Sequence, residues 1–338
     1  MTQLKPKTTQ SESSEIKKPN VYVYKLLNGK KLTKSEFIRY FENKVYKTIK
    51  KFKLFELDDK IVVAVSGGKD SITVLYLVRQ YLARKNLHKN ITALVIDEGI
   101  ADYREHTIKF LEKFCKELDV NLHIHSYKKK FGQTLDTSVE VLNKKGMNVS
   151  PCNICGTFRR NALNVGAREL GATKVVTGHN LDDETQNVLL NIFKNNYKIL
   201  ARLGPNNGVI KNSMFIPRVK PLYLCTEKEV RLYTILMGFD VGYDECPYSK
   251  GSFRDELADI INVLEDNHKG VKNSIINFFL EIKPMLAEKF LNVEGGSDVK
   301  FCTQCGEPSQ RVVCNTCEMQ ALVCDLGDDE DESETIEK

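Results

Sequence analysis

Three groups of residues in this chain have types and spacings that could do chemistry. The first is Ser66-Gly67-Gly68-Lys69-Asp70-Ser71. Two glycines beside a serine make a tight turn and let the backbone approach a ligand closely, and Lys69 adds a cation. The preceding Ile61-Val62-Val63-Ala64-Val65 reads as a fully buried strand. After it, Ile72, Leu75, Tyr76, Val78 and Leu82 mark one face of a helix. Strand, glycine turn and helix start together form an anion cradle, because free N–H groups and the helix dipole point into the turn. A phosphate site is expected. It is not of the Walker type, which needs four residues between its first glycine and a Gly-Lys pair.

The second group, Gly178-His179-Asn180-Leu181-Asp182-Asp183, follows the apolar run Lys174-Val175-Val176-Thr177. Either aspartate would cap a helix carrying Glu184, Val188 and Leu189. At the ligand edge of a sheet the same carboxylates are placed to hold Mg²⁺ against a triphosphate, and that functional reading is preferred.

The third group is the ten cysteines. No apolar run approaches the ~20 residues of a membrane span, and the polar N-terminal stretch has no signal-peptide core. A cytoplasmic protein with no membrane partner is expected, and there cysteines argue for metal or catalysis over disulfides. Cys302-x-x-Cys305-Gly306 and Cys314-x-x-Cys317 enclose eight residues, a length for a hairpin that brings four thiolates to one zinc. Such a ribbon serves RNA binding or only stability. Cys152-x-x-Cys155 supplies two metal positions, never a complete site. Cys115 on an apolar helix face, and Cys225 before the capping box Thr226-Glu227-Lys228-Glu229, both read as packing. Cys246, in the non-periodic loop Tyr243-Asp244-Glu245-Cys246-Pro247-Tyr248, is the best third partner. Three thiolates with no fourth ligand suit an iron–sulfur cluster with one open iron. They also suit a redox pair plus a persulfide carrier, or three unrelated thiols. Gly156, after the second cysteine, suggests a knuckle turn at positive φ. Cys324 has no assigned role.

These groups need elements to position them. Residues 1–20 are polar and without periodicity, and read as a disordered tail. Residues 21–53 form a hairpin and a helix. Val21-Tyr22-Val23-Tyr24 and Lys30-Lys31-Leu32 flank the turn pair Asn28-Gly29, and Thr33 with Glu36 make a capping box for a helix burying Phe37, Phe41, Val45 and Ile49. Its Lys44, Lys47, Lys50 and Lys51 face is solvated or meets RNA phosphates. Residues 54–253 alternate strands (61–65, 91–96, 122–125, 174–177) with helices, one of them burying Phe110, Leu111, Phe114, Cys115 and Leu118. That alternation predicts a doubly wound parallel α/β sheet. Residues 66–71, Asp97 and residues 178–183 all follow strands at its ligand edge. A helical connector (254–297), the ribbon (298–324) and an acidic disordered tail (325–338) complete the chain. The tail holds eight acids and one base against a chain total of +5, which leaves +12 on the rest. A basic body suits a polyanion such as RNA.

The hexapeptide resembles the PP-loop of the ATP pyrophosphatases, which cleave ATP between its α- and β-phosphates and adenylate a substrate. Together with Cys152-x-x-Cys155, residues 178–183, Glu245-Cys246-Pro247-Tyr248 and the terminal ribbon, it resembles the tRNA 2-thiouridine synthetases of the TtuA and cytosolic thiouridylase subunit 1 family, across residues 30–323. The resemblance implies an ATP-dependent tRNA uridine 2-sulfurtransferase that adenylates the C2 oxygen and replaces it with sulfur. It implies a 4Fe–4S cluster on Cys152, Cys155 and Cys246, which also serve catalysis. ATP is assigned to Ala64, Ser66, Gly67, Gly68, Lys69, Asp70, Ser71, Ile96, Arg159 and Gly178, and catalysis to Asp183 and Asp70. Arg159 stands where many members have lysine, and a guanidinium does not readily give up a proton. The family's N-terminal zinc finger is replaced here at Leu32-Thr33-Lys34-Ser35-Glu36-Phe37, so one zinc is expected, on Cys302, Cys305, Cys314 and Cys317. Further implied are Mg²⁺, tRNA, a homodimer, and a sulfur donor that is sulfide, a persulfide or a ubiquitin-like thiocarboxylate protein. Wobble uridine 34 is preferred as the target. The alternatives are uridine 54, 2-thiocytidine synthesis, and a non-catalytic zinc-ribbon RNA-binding or redox protein.

Overall fold

The computed structural model describes residues 21–207, 214–242, 246–248, 253–291 and 300–324. The two expected disordered tails, and residues 243–245 of the Cys246 loop, lie outside them. Strands β1 (Tyr22–Lys25) and β2 (Lys31–Thr33) pair antiparallel around Asn28-Gly29, where Gly29 takes φ +84°. Helix α1 (Lys34–Lys51) starts on the expected box, with the Thr33 N–H donating to the Glu36 carboxylate at 2.9 Å. Phe37, Phe41, Val45 and Ile49 are buried along its inner face.

The main sheet has the order β5-β4-β3-β6-β8-β7. Its strands are β3 (Ile61–Ala64), β4 (Ile91–Asp97), β5 (Asn121–Ser126), β6 (Lys174–Val176), β7 (Asn206–Asn207) and β8 (Arg218–Val219). All pairings are parallel except β7 with β8. Both faces are covered, and the strand pleat sorts the side chains between them. Ile61, Val63, Ala93 and Val95 join one core layer, while Val62, Leu94 and Ile96 join the other. Each fully buried aliphatic side chain there contributes about 1.5–3 kcal/mol.

The first layer holds α1, α2 (Lys69–Ala83), α3 (Arg104–Glu117) and, later in the chain, a helix over Glu227–Met237. In α3, Leu111, Phe114 and Cys115 are buried, whereas Phe110 and Leu118 are only partly covered. The second layer holds α4 (Tyr127–Phe131), α5 (Leu135–Lys144) and α6 (Pro151–Glu169). Beyond β6 come α7 (Leu181–Phe193) and α8 (Tyr197–Leu200), then α9 (Glu227–Met237), α10 (Phe253–Asn267) and α11 (Val271–Leu291). Ile276 and Phe279 of α11 share a small core with Leu181 and Val188 of α7, so the expected connector helices pack on the ligand edge.

The C-terminal unit comprises β9 (Lys300–Phe301), β10 (Pro308–Ser309) and α12 (Asn315–Cys324). It docks on the second layer. Val323 is 1% exposed among the side chains of that layer, Gln133 donates to its carbonyl at 2.7 Å, and Arg168 of α6 pairs with Glu307.

From β3 the chain winds out to β4 and β5, then returns to β6 on the other side of β3. That reversal opens a crevice at the C-terminal ends of β3, β4 and β6, where open α/β sheets bind ligands.

Candidate active site

Residues 66–71 turn from β3 into α2 at this crevice. Gly67 takes φ +86°, and a Cβ there would lie 2.3 Å from the Thr107 methyl. Gly68 is the N-cap of α2, which leaves the first N–H groups of a 15-residue helix at the turn. Ser71 locks the loop: its hydroxyl donates to the Gly68 carbonyl at 2.9 Å and accepts from the Ser66 N–H at 3.1 Å. Lys69 pairs with Asp70 at 3.1 Å and with Glu227 at 2.9 Å. Ala64 closes β3, and Ile96, 7% exposed, lies one residue from the end of β4.

Residues 178–183 lie against this loop. A Cβ on Gly178 would sit 2.9 Å from the Asp70 carbonyl carbon and 3.0 Å from the Ser71 nitrogen, so only glycine allows this approach. Asn180 donates to Asp70 at 2.9 Å. It is also the N-cap of α7, exchanging hydrogen bonds of 3.1 Å with Asp183. The two aspartates divide their work. Asp182 is 5% exposed, pairs with Lys272 of α11 and accepts the Glu227 N–H at 2.8 Å, so it fastens helices together. Asp183 has Arg254 at 3.2 Å and lies near Asp70. Burial pushes both the Asp70 and Asp183 carboxyls above the usual range; the Asp183 charge raises Asp70 further, and Glu227 and Asp182 raise Asp183. Asp70, with Lys69, and Asp183, with Arg254, are carboxylates at the ligand edge whose chemistry suits a divalent cation. Beneath them Glu184, 0% exposed, pairs with Lys220 at 2.8 Å. His179 opens to solvent at the rim, yet the depth of surrounding protein and then the Lys220 charge push its imidazole down to about 4.

The cysteine group adjoins the same edge. Pro151 opens α6 at a position where its missing N–H costs nothing, and Cys152 and Cys155 fall one turn apart on it. Cys152 is exposed and donates to the Tyr248 carbonyl at 3.4 Å. Cys155 is buried, and its sulfur accepts from Arg159 at 3.1 Å. Tyr127 donates to the Cys155 carbonyl at 2.9 Å. Cys246 packs into the same layer beside Tyr248, and its charge acts on Cys155. Gly156 continues α6 in helical conformation; the expected knuckle turn at positive φ is absent, because the helix has already started at Pro151. Among the described residues, the one set of three or more Cys, His, Asp or Glu ligand atoms within 4.8 Å of one another is the C-terminal set. The Cys152, Cys155 and Cys246 sulfurs are thus spread wider than one zinc spans.

The C-terminal set is Cys302, Cys305, Cys314 and Cys317. Tetrahedral zinc with Zn–S near 2.3 Å places its sulfurs about 3.8 Å apart. The observed separations are 3.8 Å for Cys302–Cys317 and 3.7 Å for Cys305–Cys314. The Cys314 N–H also donates to the Cys302 sulfur at 3.2 Å, and Gly306 makes the knuckle turn at φ +69°. These residues fit zinc.

Several residues here escaped sequence reasoning. Glu98, 2% exposed, pairs with Arg159 at 2.8 Å and with Arg104, and Arg104 donates to the Ser66 carbonyl at 3.2 Å. Glu227, Lys220, Arg254 and Lys272 are likewise brought in by packing. For Glu98 alone a signal was at hand, its place directly after Asp97 at the end of an expected strand.

A family model for the PP-loop domain matches residues 39–259. The chain is 35% identical over 291 residues to the tRNA-5-methyluridine(54) 2-sulfurtransferase of Pyrococcus horikoshii, covering 86% of this chain and 88% of that one. It is 31% identical over 295 residues to the cytoplasmic tRNA 2-thiolation protein 1 of Caenorhabditis elegans, with 87% and 76% covered. Among solved structures it is similar to the U34-tRNA thiolase NcsA from Methanococcus maripaludis with its [4Fe-4S] cluster, at TM-score 0.74 and 32% identity over 91% of this chain and 95% of that one.

Proposed function

The chain belongs to the tRNA-thiolating branch of the PP-loop family, and on that premise we propose that it is an ATP-dependent tRNA uridine 2-sulfurtransferase. One observation carries the reading: the phosphate loop and the Cys152–Cys155 pair meet at one sheet edge, joined through Arg104, Glu98 and Arg159.

The reaction has two halves. In the first, the uridine C2 oxygen attacks the α-phosphorus of ATP and pyrophosphate leaves. The α2 N-terminus and the loop N–H groups hold the phosphates. Lys69 would turn from Glu227 and Asp70 to the triphosphate, and Asp70 with Asp183 would hold Mg²⁺ to neutralise its charge. In the second, a C–S bond forms at C2 as the C–O bond breaks and AMP departs. Cys152, Cys155 and Cys246 would hold the cluster, which when bound would supply an iron site for the sulfur. Arg159 keeps a positive charge beside Cys155 without acting as a proton donor. The sulfur comes from sulfide, from a thiocarboxylate protein, or from a persulfide together with a two-electron thiol reductant.

Wobble uridine 34, the position named for the NcsA neighbour, is taken over uridine 54, named for the Pyrococcus relative. The tRNA backbone meets the basic body of the protein. A cleft of about 290 Å³ between α1 and α11 offers Lys47, Lys51, Asn273 and Asn277 as a phosphate contact, whereas Lys44 on the same face is neutralised by the buried Glu229 at 2.7 Å and is not free for one. The remaining assignments are one structural zinc in the ribbon, a homodimer, a cytoplasmic location, and the domain limits at residues 54–253 and 298–324. No described helix is long and apolar enough to cross a membrane.

The test is anaerobic reconstitution with iron and sulfide, then incubation with tRNA, ATP and sulfide and mapping of the thiolated nucleoside. Sulfur at uridine 34 is expected. Cys246→Ala should lose both the absorbance near 400 nm and thiolation, and full activity in that variant would overturn the three-thiolate site.

A further inference from the structure

Glu98 stands between the two halves of this site. Its backbone is fixed from α5, where the Leu135 N–H donates to the Glu98 carbonyl at 2.7 Å. Its carboxylate, 2% exposed, is shared by two guanidiniums. Arg159 reaches it at 2.8 Å and also donates to the Cys155 sulfur at 3.1 Å. Arg104, 4% exposed, pairs with its other oxygen and donates to the Ser66 carbonyl at 3.2 Å. One turn along α3 from Arg104, Thr107 lies against Gly67, the next loop residue. Each guanidinium is a rigid planar fork, and a buried carboxylate cannot exchange either partner for water without a large loss. A shift of the loop around a phosphate therefore moves Arg104, and Glu98 passes the displacement to Arg159 and the Cys155 sulfur.

We propose that Glu98 is a positioning residue that couples nucleotide binding at residues 66–71 to occupancy of the cysteine site at Cys155. The proposal rests on the functional reading above. It adds that the two half-sites sense each other through one buried carboxylate. Arg104 and Arg159 are its two arms.

The measurement is the Kd of a non-hydrolysable ATP analogue, by calorimetry, on cluster-loaded protein and on cluster-free protein that keeps its ribbon zinc. Wild type is expected to show Kd values that differ by about 5-fold or more between the two forms, the lower end of measured coupling between linked sites. In Glu98→Gln the ratio should fall to about one while both the analogue and the cluster still bind. Because Glu98→Gln leaves the buried Arg104 guanidinium and the half-exposed Arg159 short of a counter-charge, Arg104→Lys serves as the second variant. It keeps the positive charge but not the fork that holds Glu98 and Ser66 together, and the ratio should collapse there too. A purely structural role would lower the melting temperature and leave the ratio unchanged, which overturns the proposal. So does a wild-type ratio of one. Wild-type protein that assembles no cluster, or binds no analogue, overturns the functional reading itself and the coupling with it.

Discussion

Gly178→Ala tests the close approach on which the nucleotide edge depends. The added methyl would meet the Asp70 carbonyl carbon at 2.9 Å, the Ser71 nitrogen at 3.0 Å and the Asp70 oxygen at 3.1 Å. All three are backbone atoms in the first turn of α2, so no side chain can swing aside. Relief to an ordinary contact of 3.4 Å needs a separation of about 0.5 Å between the end of β6 and the loop. Overpacking of this kind costs about 1–3 kcal/mol, which lowers the melting temperature by roughly 2–10 °C in a domain of this size. A misplacement near 1 Å costs roughly 100-fold in rate, so half of it should slow thiolation about tenfold. Differential scanning fluorimetry and single-turnover thiolation under saturating ATP read the two effects. Gly68→Ala is the comparison for stability, because its Cβ would meet only the Ser66 hydroxyl at 3.6 Å; without nucleotide it should melt closer to wild type. Wild-type melting and wild-type rate in Gly178→Ala would refute the claim that the loop and residues 178–183 are packed backbone to backbone.

Lys220→Met should destabilise the protein by about 3–5 kcal/mol in urea titrations, because it strands the buried Glu184 carboxylate; adding Glu184→Leu should recover most of that loss, and an unshifted midpoint in the single variant would show the pair to be idle. His179 should titrate near 4 in NMR rather than near 6.5. A depressed histidine pKa means the folded state favours the neutral ring, so its contribution to stability is intact above about 6.5 and is lost as pH falls from there toward 4; a midpoint above 6 would contradict the cationic surroundings described for it. Elemental analysis of aerobically purified protein should find one zinc per chain, and stripping it with a strong chelator should raise hydrogen exchange in α6 as well as in the ribbon, since Arg168–Glu307 and the seat of Val323 tie the two together. Two zinc ions per chain, or exchange confined to residues 300–324, would count against that arrangement.

The parts legible from sequence are those whose partners lie within a turn or two. The phosphate loop is such a part: its glycines, its lysine and the helix that follows are contiguous, so strand, turn and N-terminus can be read in one stretch. The ribbon is another, since two knuckles separated by eight residues have few ways to close. Thr33 with Glu36 and Thr226 with Glu229 cap α1 and α9 as their spacing implies. Gly156 shows how a local reading fails. After a cysteine pair it suggests a turn, but a helix nucleated at Pro151 carries it along, because propagation is cheap once the first turn has formed.

Order along the chain is enough for the alternation of buried strands and helices, the phosphate loop, two sets of thiols and the family they resemble. Tertiary structure alone decided which charges meet. Asp182 and Asp183 are neighbours in the chain, yet successive helix positions diverge by about 100°, so one fastens α11 and α9 while the other lies by Asp70. Glu98 finds Arg159 and Arg104 only because the end of β4, the start of α3 and the middle of α6 meet at the same crevice. A carboxylate buried there is tolerated only when folding delivers its counter-charges, and no spacing along the chain records that delivery.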